Sequence, residues 1–225
     1  MKRRLLPILM TLVLVCALPI WAAFVTSGDV TNPLLTTAAA SEMALQERIN
    51  QANAGATITL NSNTEIAATL QITKNLTLDL NGCTLRMTGN RSVLCVYNGA
   101  TLTITDSSTA KSGTITGGNA TDGGGVYIGG NSSEGHLVMT GGTITGCHVS
   151  SRGGGVFVFK GSFTMSGTAR ITDCTAAGGG GVVVHTGSST FTMNGGEISD
   201  CKAFYTGGGV CLVSGAWFEM TGGTI

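Results

Sequence analysis

The sequence of 225 residues is short of charge, proline and aromatic rings. Charged residues make up 11% of it, against about a quarter in an average soluble domain. Basic and acidic residues number 12 each, and beyond Lys2, Arg3 and Arg4 there is no basic run, which excludes the electrostatic footprint of a nucleic-acid binder. Proline occurs three times and never after Pro33. Nearly every later backbone N–H is therefore free to join a hydrogen-bonded ladder. The 42% apolar content with zero formal net charge excludes intrinsic disorder. The 35 glycines follow no three-residue period, which excludes a collagen helix.

The first residues stand apart. Lys2, Arg3 and Arg4 precede an apolar stretch from Leu5 to Val15, then Pro19 and the small residues Ala22 and Ala23. This is the layout of a secretory signal peptide over residues 1–25, with an uncleaved signal anchor as the alternative, because 21 residues from Leu5 to Val25 are enough to cross a bilayer. Either way the rest of the chain is expected outside the cell, secreted or at the cell surface. With the signal cleaved, no membrane span is expected in the mature chain. Residues 26–40 are small and polar and read as a linker.

A short helix is expected next, over residues 41–55. Ser41 is a suitable N-cap, Leu45, Ile49 and Ala52 share one face of Glu42–Ala52, and Asn53 to Gly55 end it. From Thr57 the apolar period changes from helical to two, as in half-buried strands. An internal repeat then sets the architecture. Ile144, Ile171, Ile198 and Ile225 are each 27 residues apart, and Cys147, Cys174 and Cys201 keep the same spacing. Met139, Met165, Met193 and Met220 follow them, and Gly-Gly-Gly-Val begins at Gly123, Gly153, Gly179 and Gly207. Each unit predicts one strand around Met, one around Ile, then a Gly-rich corner and a strand opening on Val.

Three short strands per unit predict one coil of a right-handed parallel β-helix, with residues 56–225 forming about six coils and the helix capping the first. Equivalent residues on stacked coils lie about 4.8 Å apart, so they form ladders along the axis. The expected inward ladders are the Met, Ile and Val series, with Phe163, Phe191 and Phe218 beside Met. Cys147, Cys174 and Cys201 are expected to form an unpaired buried ladder, Thr, Ser and Asn to cover the outside. The sequence stops in mid-coil after Thr221–Thr224, which predicts that further coils follow Ile225.

The segments Ala56–Leu60, Leu76–Gly82, Gly141–Gly146, the Gly-Gly-Gly-Val elements and Phe191–Asn194 carry a resemblance over about residues 41–225. They resemble the right-handed parallel β-helix repeats of bacterial secreted and surface proteins, adhesin-like chains and polymorphic outer-membrane autotransporter passengers among them. The resemblance implies a non-catalytic stalk or binding surface whose partner is a host or cell-surface glycan or protein. The same fold also serves pectate-lyase-like and polygalacturonase-like enzymes, so a polysaccharide lyase or glycoside hydrolase is the alternative.

For the enzyme, the weak catalytic candidates are Asp173 and Asp200, which precede Cys on successive coils. Two carboxylates about 5 Å apart suit a retaining glycosidase. Against this, Gly146 holds the same place one coil earlier, as expected of a solvated corner. For the binding surface, the turns between Cys and the Gly triplet vary most between coils. Variable turns are where recognition residues concentrate, which makes His148, Arg152, Phe204 and Tyr205 the binding candidates. No metal site or cofactor is implied. There is no Cys-x-x-Cys, and His136, His148 and His185 share no repeat position. The Gly triplets lack the Lys-Ser/Thr of a phosphate loop.

Overall fold

In a computed structural model, residues 45–225 are described, apart from residue 131. The expected signal peptide, linker and first turn of the helix lie outside the described residues. The helix occupies residues 45–51, and twenty strands follow it.

All the strands between coils pair in parallel. They build a parallel β-solenoid of six coils with three faces. The first face stacks Ala56–Thr59, Leu76–Asp79, Thr101–Thr105, Gly135–Met139, Gly161–Met165, the opening of Thr190–Ser199 and Trp217–Thr224. The second stacks Thr64–Ile66, Thr84–Met87, Thr114–Thr116, Thr143–Thr145, Arg170–Thr172 and the end of Thr190–Ser199. Because Thr190–Ser199 runs through the corner, these two faces join into one 12-stranded sheet. The third face has six strands: Leu70–Ile72, Leu94–Val96, Val126–Ile128, Val156–Val158, Val182–Val184 and Val210–Leu212.

The sequence ladders are the inward ladders of these faces. Ile58, Leu78, Ile104, Met139, Met165, Met193 and Met220 align on the first face. Leu85, Ile115, Ile144, Ile171 and Ile198 align on the second. Leu70, Leu94, Val126, Val156, Val182 and Val210 align on the third. Stacking equivalents places like shape on like shape, so each inward side chain packs on its equivalent in the next coil. Phe163 lies on Phe191 at 4.7 Å between ring centroids, and Phe191 on Phe218 at 4.9 Å. Each such pair contributes about 0.5–1.5 kcal/mol beyond its buried area.

The helix closes the first coil. Leu45 and Ile49 enter the core, while Arg48 donates to the Thr59 carbonyl at 2.9 Å. Gln46 pairs with the backbone of Gln71, accepting from its N–H at 2.8 Å and donating to its carbonyl at 3.2 Å. Polar groups on the free strand edges of the first coil thus find partners that an edge strand otherwise lacks.

The corners explain the glycines. The first residue of each triplet is left-handed, with φ between 55° and 66° at Gly123, Gly153, Gly179 and Gly207. The third is held by close approach. A Cβ on Gly155 would stand 2.6 Å from the Ile171 side chain and 2.8 Å from the Gly181 carbonyl.

The third coil is longer than the repeat, through the loop at residues 106–113. Asp106 organises it, accepting from the N–H groups of Gly113 at 2.6 Å, Gly82 at 2.8 Å and Ser108 at 3.1 Å. Burial alone would raise the Asp106 carboxyl. The hydrogen bonds donated from Gly113, Gly82 and Ser108 outweigh it and hold the group below the ordinary carboxylate value.

Candidate functional site

The four binding candidates fall on one flank, the corner between the second and third faces. His148 forms a parallel bridge with Thr175, and Thr175 pairs with Lys202 on the next coil. Arg152 bridges Asp122 on one side and Gly178 on the other, and Gly178 pairs with Thr206. The corner therefore carries two ladders, one through His148 and one through Arg152, with Phe204 and Tyr205 between them on the last coil.

A bulge presents Phe204 and Tyr205. Thr175–Gly178 and Lys202–Thr206 form a separate two-stranded parallel sheet. Its register pairs Ala176 with Ala203 and Gly178 with Thr206, so Phe204 and Tyr205 together face the single residue Ala177. An extra residue in one strand bends it and re-aims its side chains. Both rings turn to solvent, Phe204 with 84% and Tyr205 with 85% of its surface exposed. Beside them Thr175, Lys202, Ala203 and Phe204 line a cleft of about 380 Å³. His148 reaches it through Thr175, with Nδ1 2.8 Å from the hydroxyl.

Arg152 is more constrained than its neighbours. Its Nε and Nη2 donate to the two oxygens of Asp122 at 3.1 and 3.2 Å. Its guanidinium also lies 4.9 Å above the centre of the Phe157 ring.

Asp173 and Asp200 sit on successive coils, as their spacing implies, and both are exposed. They are also left-handed, with φ of 51° and 53°, and Gly146 with φ of 58° occupies the same corner one coil earlier. Asp tolerates this conformation where most residues do not. The repeat thus demands a left-handed corner residue at this place, and that demand accounts for the two carboxylates without chemistry.

Cys147, Cys174 and Cys201 are free thiols in one stack, the first two buried and the third partly so. Their thiols donate to backbone carbonyls, Cys147 to Thr145 at 3.5 Å, Cys174 to Thr172 at 3.3 Å and Cys201 to Ile171 at 3.8 Å. Interaction with the neighbouring thiol of the stack, together with burial, pushes the Cys174 and Cys201 thiols up. Cys147, at the end of the stack, is held down by its interaction with Cys174. Among the described residues, no group of three or more His, Cys, Asp or Glu is arranged to hold a metal ion.

One feature of the third face departs from the expected polar exterior. Phe157 and Val183 are fully buried. They alternate with the inward Val156, Val158, Val182 and Val184 and do not belong to the interior cluster. The cover of Phe157 comes from outside: Tyr127, Phe159 and His185 surround it, with ring centroids 5.3, 6.1 and 5.6 Å away. The sequence signal was present in Val156–Phe159 and Val182–Val184, where the strands do not alternate with polar residues. Such runs mark strands buried on both faces.

Among the described residues, no helix is long and apolar enough to cross a membrane. No family model matches the chain, and neither a curated protein nor a solved structure is similar to it.

Proposed function

We propose that the chain is an exported, non-catalytic β-solenoid of the adhesin-like kind, whose corner between the second and third faces is a contact surface for a glycan or protein outside the cell. The observation that carries this reading is the bulge, which holds two aromatic rings in solvent on a rigid ladder. Exposed aromatic side chains on an otherwise polar surface are the usual anchors of a recognition site, because they bury much area at little cost in side-chain freedom. His148 and Lys202 supply polar contacts at the edge of the same cleft. Lys2 to Ala23 supports export, and the buried, unpaired cysteines are compatible with either redox compartment.

The test is retention of the purified chain on immobilised glycans and mucin-type glycoproteins. The wild type is expected to be retained, and the Phe204→Ala/Tyr205→Ala double variant to lose at least tenfold in retention. Equal retention of the two would exclude the corner as the contact surface.

The alternative is a polysaccharide lyase or hydrolase acting through Asp173 and Asp200. Their succession on adjacent coils favours it, and their corner role disfavours it.

A further inference from the structure

The aromatic cluster outside the third face forms a second surface, separate from the bulge. Tyr127, Phe157, Phe159 and His185 pack against one another with centroids 5.3 to 6.3 Å apart. The ring planes are inclined to one another by 22° to 59°, so the cluster is a stepped apolar shelf. Phe157 is its buried floor, while Tyr127, Phe159 and His185 remain partly exposed. His185 stacks on Phe159 with 22° between the ring planes. Its Nδ1 is buried without a hydrogen-bond partner. Burial and the positive charge of Arg152 hold His185 below the ordinary histidine value, so its ring is neutral at pH 7.

A purely structural cluster would be expected to bury its rings and satisfy its polar atoms. This one leaves three rings partly open and sets a polar pair at their rim. Arg152 and Asp122 form an ion pair through two hydrogen bonds, so the rim carries no net charge. Free N–H groups of the guanidinium and free lone pairs of the carboxylate still offer donors beside acceptors. An apolar shelf with a neutral donor–acceptor rim fits the face of a sugar ring, whose C–H bonds lie against the aromatics while its hydroxyls both donate and accept. A sugar bearing a carboxylate would meet a guanidinium already engaged.

We propose that Tyr127, Phe159 and His185, with the Arg152–Asp122 pair at their rim, bind a neutral pyranose unit of a polysaccharide. The pair orients the ring through its hydroxyls, and the floor at Phe157 keeps the shelf in place. Three stacked coils supply the parts, because Asp122 and Tyr127, then Arg152, Phe157 and Phe159, then His185 follow one another along the chain.

Calorimetric titration of the full chain with cellohexaose, xylohexaose and maltohexaose tests this, with hexagalacturonate as the charged comparison. At least one neutral hexasaccharide is expected to bind saturably, and more tightly than hexagalacturonate. Phe159→Ala and Tyr127→Ala are each expected to raise its Kd at least tenfold. Phe159→Leu keeps the apolar volume but removes the aromatic face, so it is expected to weaken binding to the same degree with an unchanged melting curve. Phe204→Ala/Tyr205→Ala is expected to change the Kd less than twofold, which separates the shelf from the bulge. The proposal is overturned if no neutral hexasaccharide binds, if hexagalacturonate binds more tightly, or if Phe159→Leu binds as the wild type does.

Discussion

Single positions carry much of the order of the molecule. Asp106 satisfies three backbone donors of the loop at residues 106–113. Asp106→Asn removes the charge those donors point to and is expected to cost about 1–3 kcal/mol, read from urea unfolding. The depressed carboxyl also fixes the sign of a pH effect. Its stability contribution is complete above the ordinary carboxylate range and is lost as pH falls through the lower folded value. His185 is depressed as well. Folding is therefore favoured by its neutral form, and this contribution declines as pH falls below about 6.5, the ordinary histidine value. His185→Phe is expected to flatten the melting temperature between pH 7 and 5 relative to the wild type. At the corners, Gly155→Ala must displace the Ile171 side chain or the Gly181 backbone, at a cost of about 1–3 kcal/mol.

At the scale of elements, the ladders make neighbouring coils interdependent. Phe191 is stacked on both sides, so Phe191→Ala opens a cavity in the middle of a column and is expected to cost about 3–5 kcal/mol in chemical unfolding. The thiol stack predicts a reactivity pattern. In the native chain, mass-spectrometric mapping of iodoacetamide labelling should find Cys147 and Cys174, both buried, modified at least tenfold more slowly than Cys83 and Cys211, both partly exposed. Comparable rates at all four would mean that the coils do not close over the stack.

The same ladders decide what was legible in advance. Met, Ile, Val, Phe and Cys recurring at the coil period put each series on its own face, because a parallel stack permits only equivalent residues to touch. The bulge at Phe204 and Tyr205 was half legible. The segment between Cys201 and Gly207 has one residue more than that between Cys174 and Gly179, but a length difference does not say which residue turns outward. The shelf was missed because alternation was assumed where Val156–Phe159 has none. Asp106 was missed because its loop lies in a coil that departs from the repeat. Its partners are backbone amides, which leave no trace in side-chain spacing.

The solenoid of residues 56–225 is built from local rules, repeated coil by coil and closed at its first coil by the helix. In such a quasi-one-dimensional fold each coil leans only on its neighbours, so a corner can vary without disturbing the interior. That freedom lets one corner hold Asp in a left-handed turn and the next flank hold a bulge. It also separates binding from catalysis, since an exposed pair of aromatic rings needs only a stiff support, whereas a reacting pair of carboxylates needs a converging set of partners. The most direct measurement of this account is the chain-length distribution of pectic, cellulosic, xylan and bacterial polysaccharides after incubation with the full chain. No shortening of any of them is expected, with the wild type and the Asp173→Ala/Asp200→Ala variant indistinguishable. Shortening by the wild type that disappears in that variant would contradict it and make the corner carboxylates an active site.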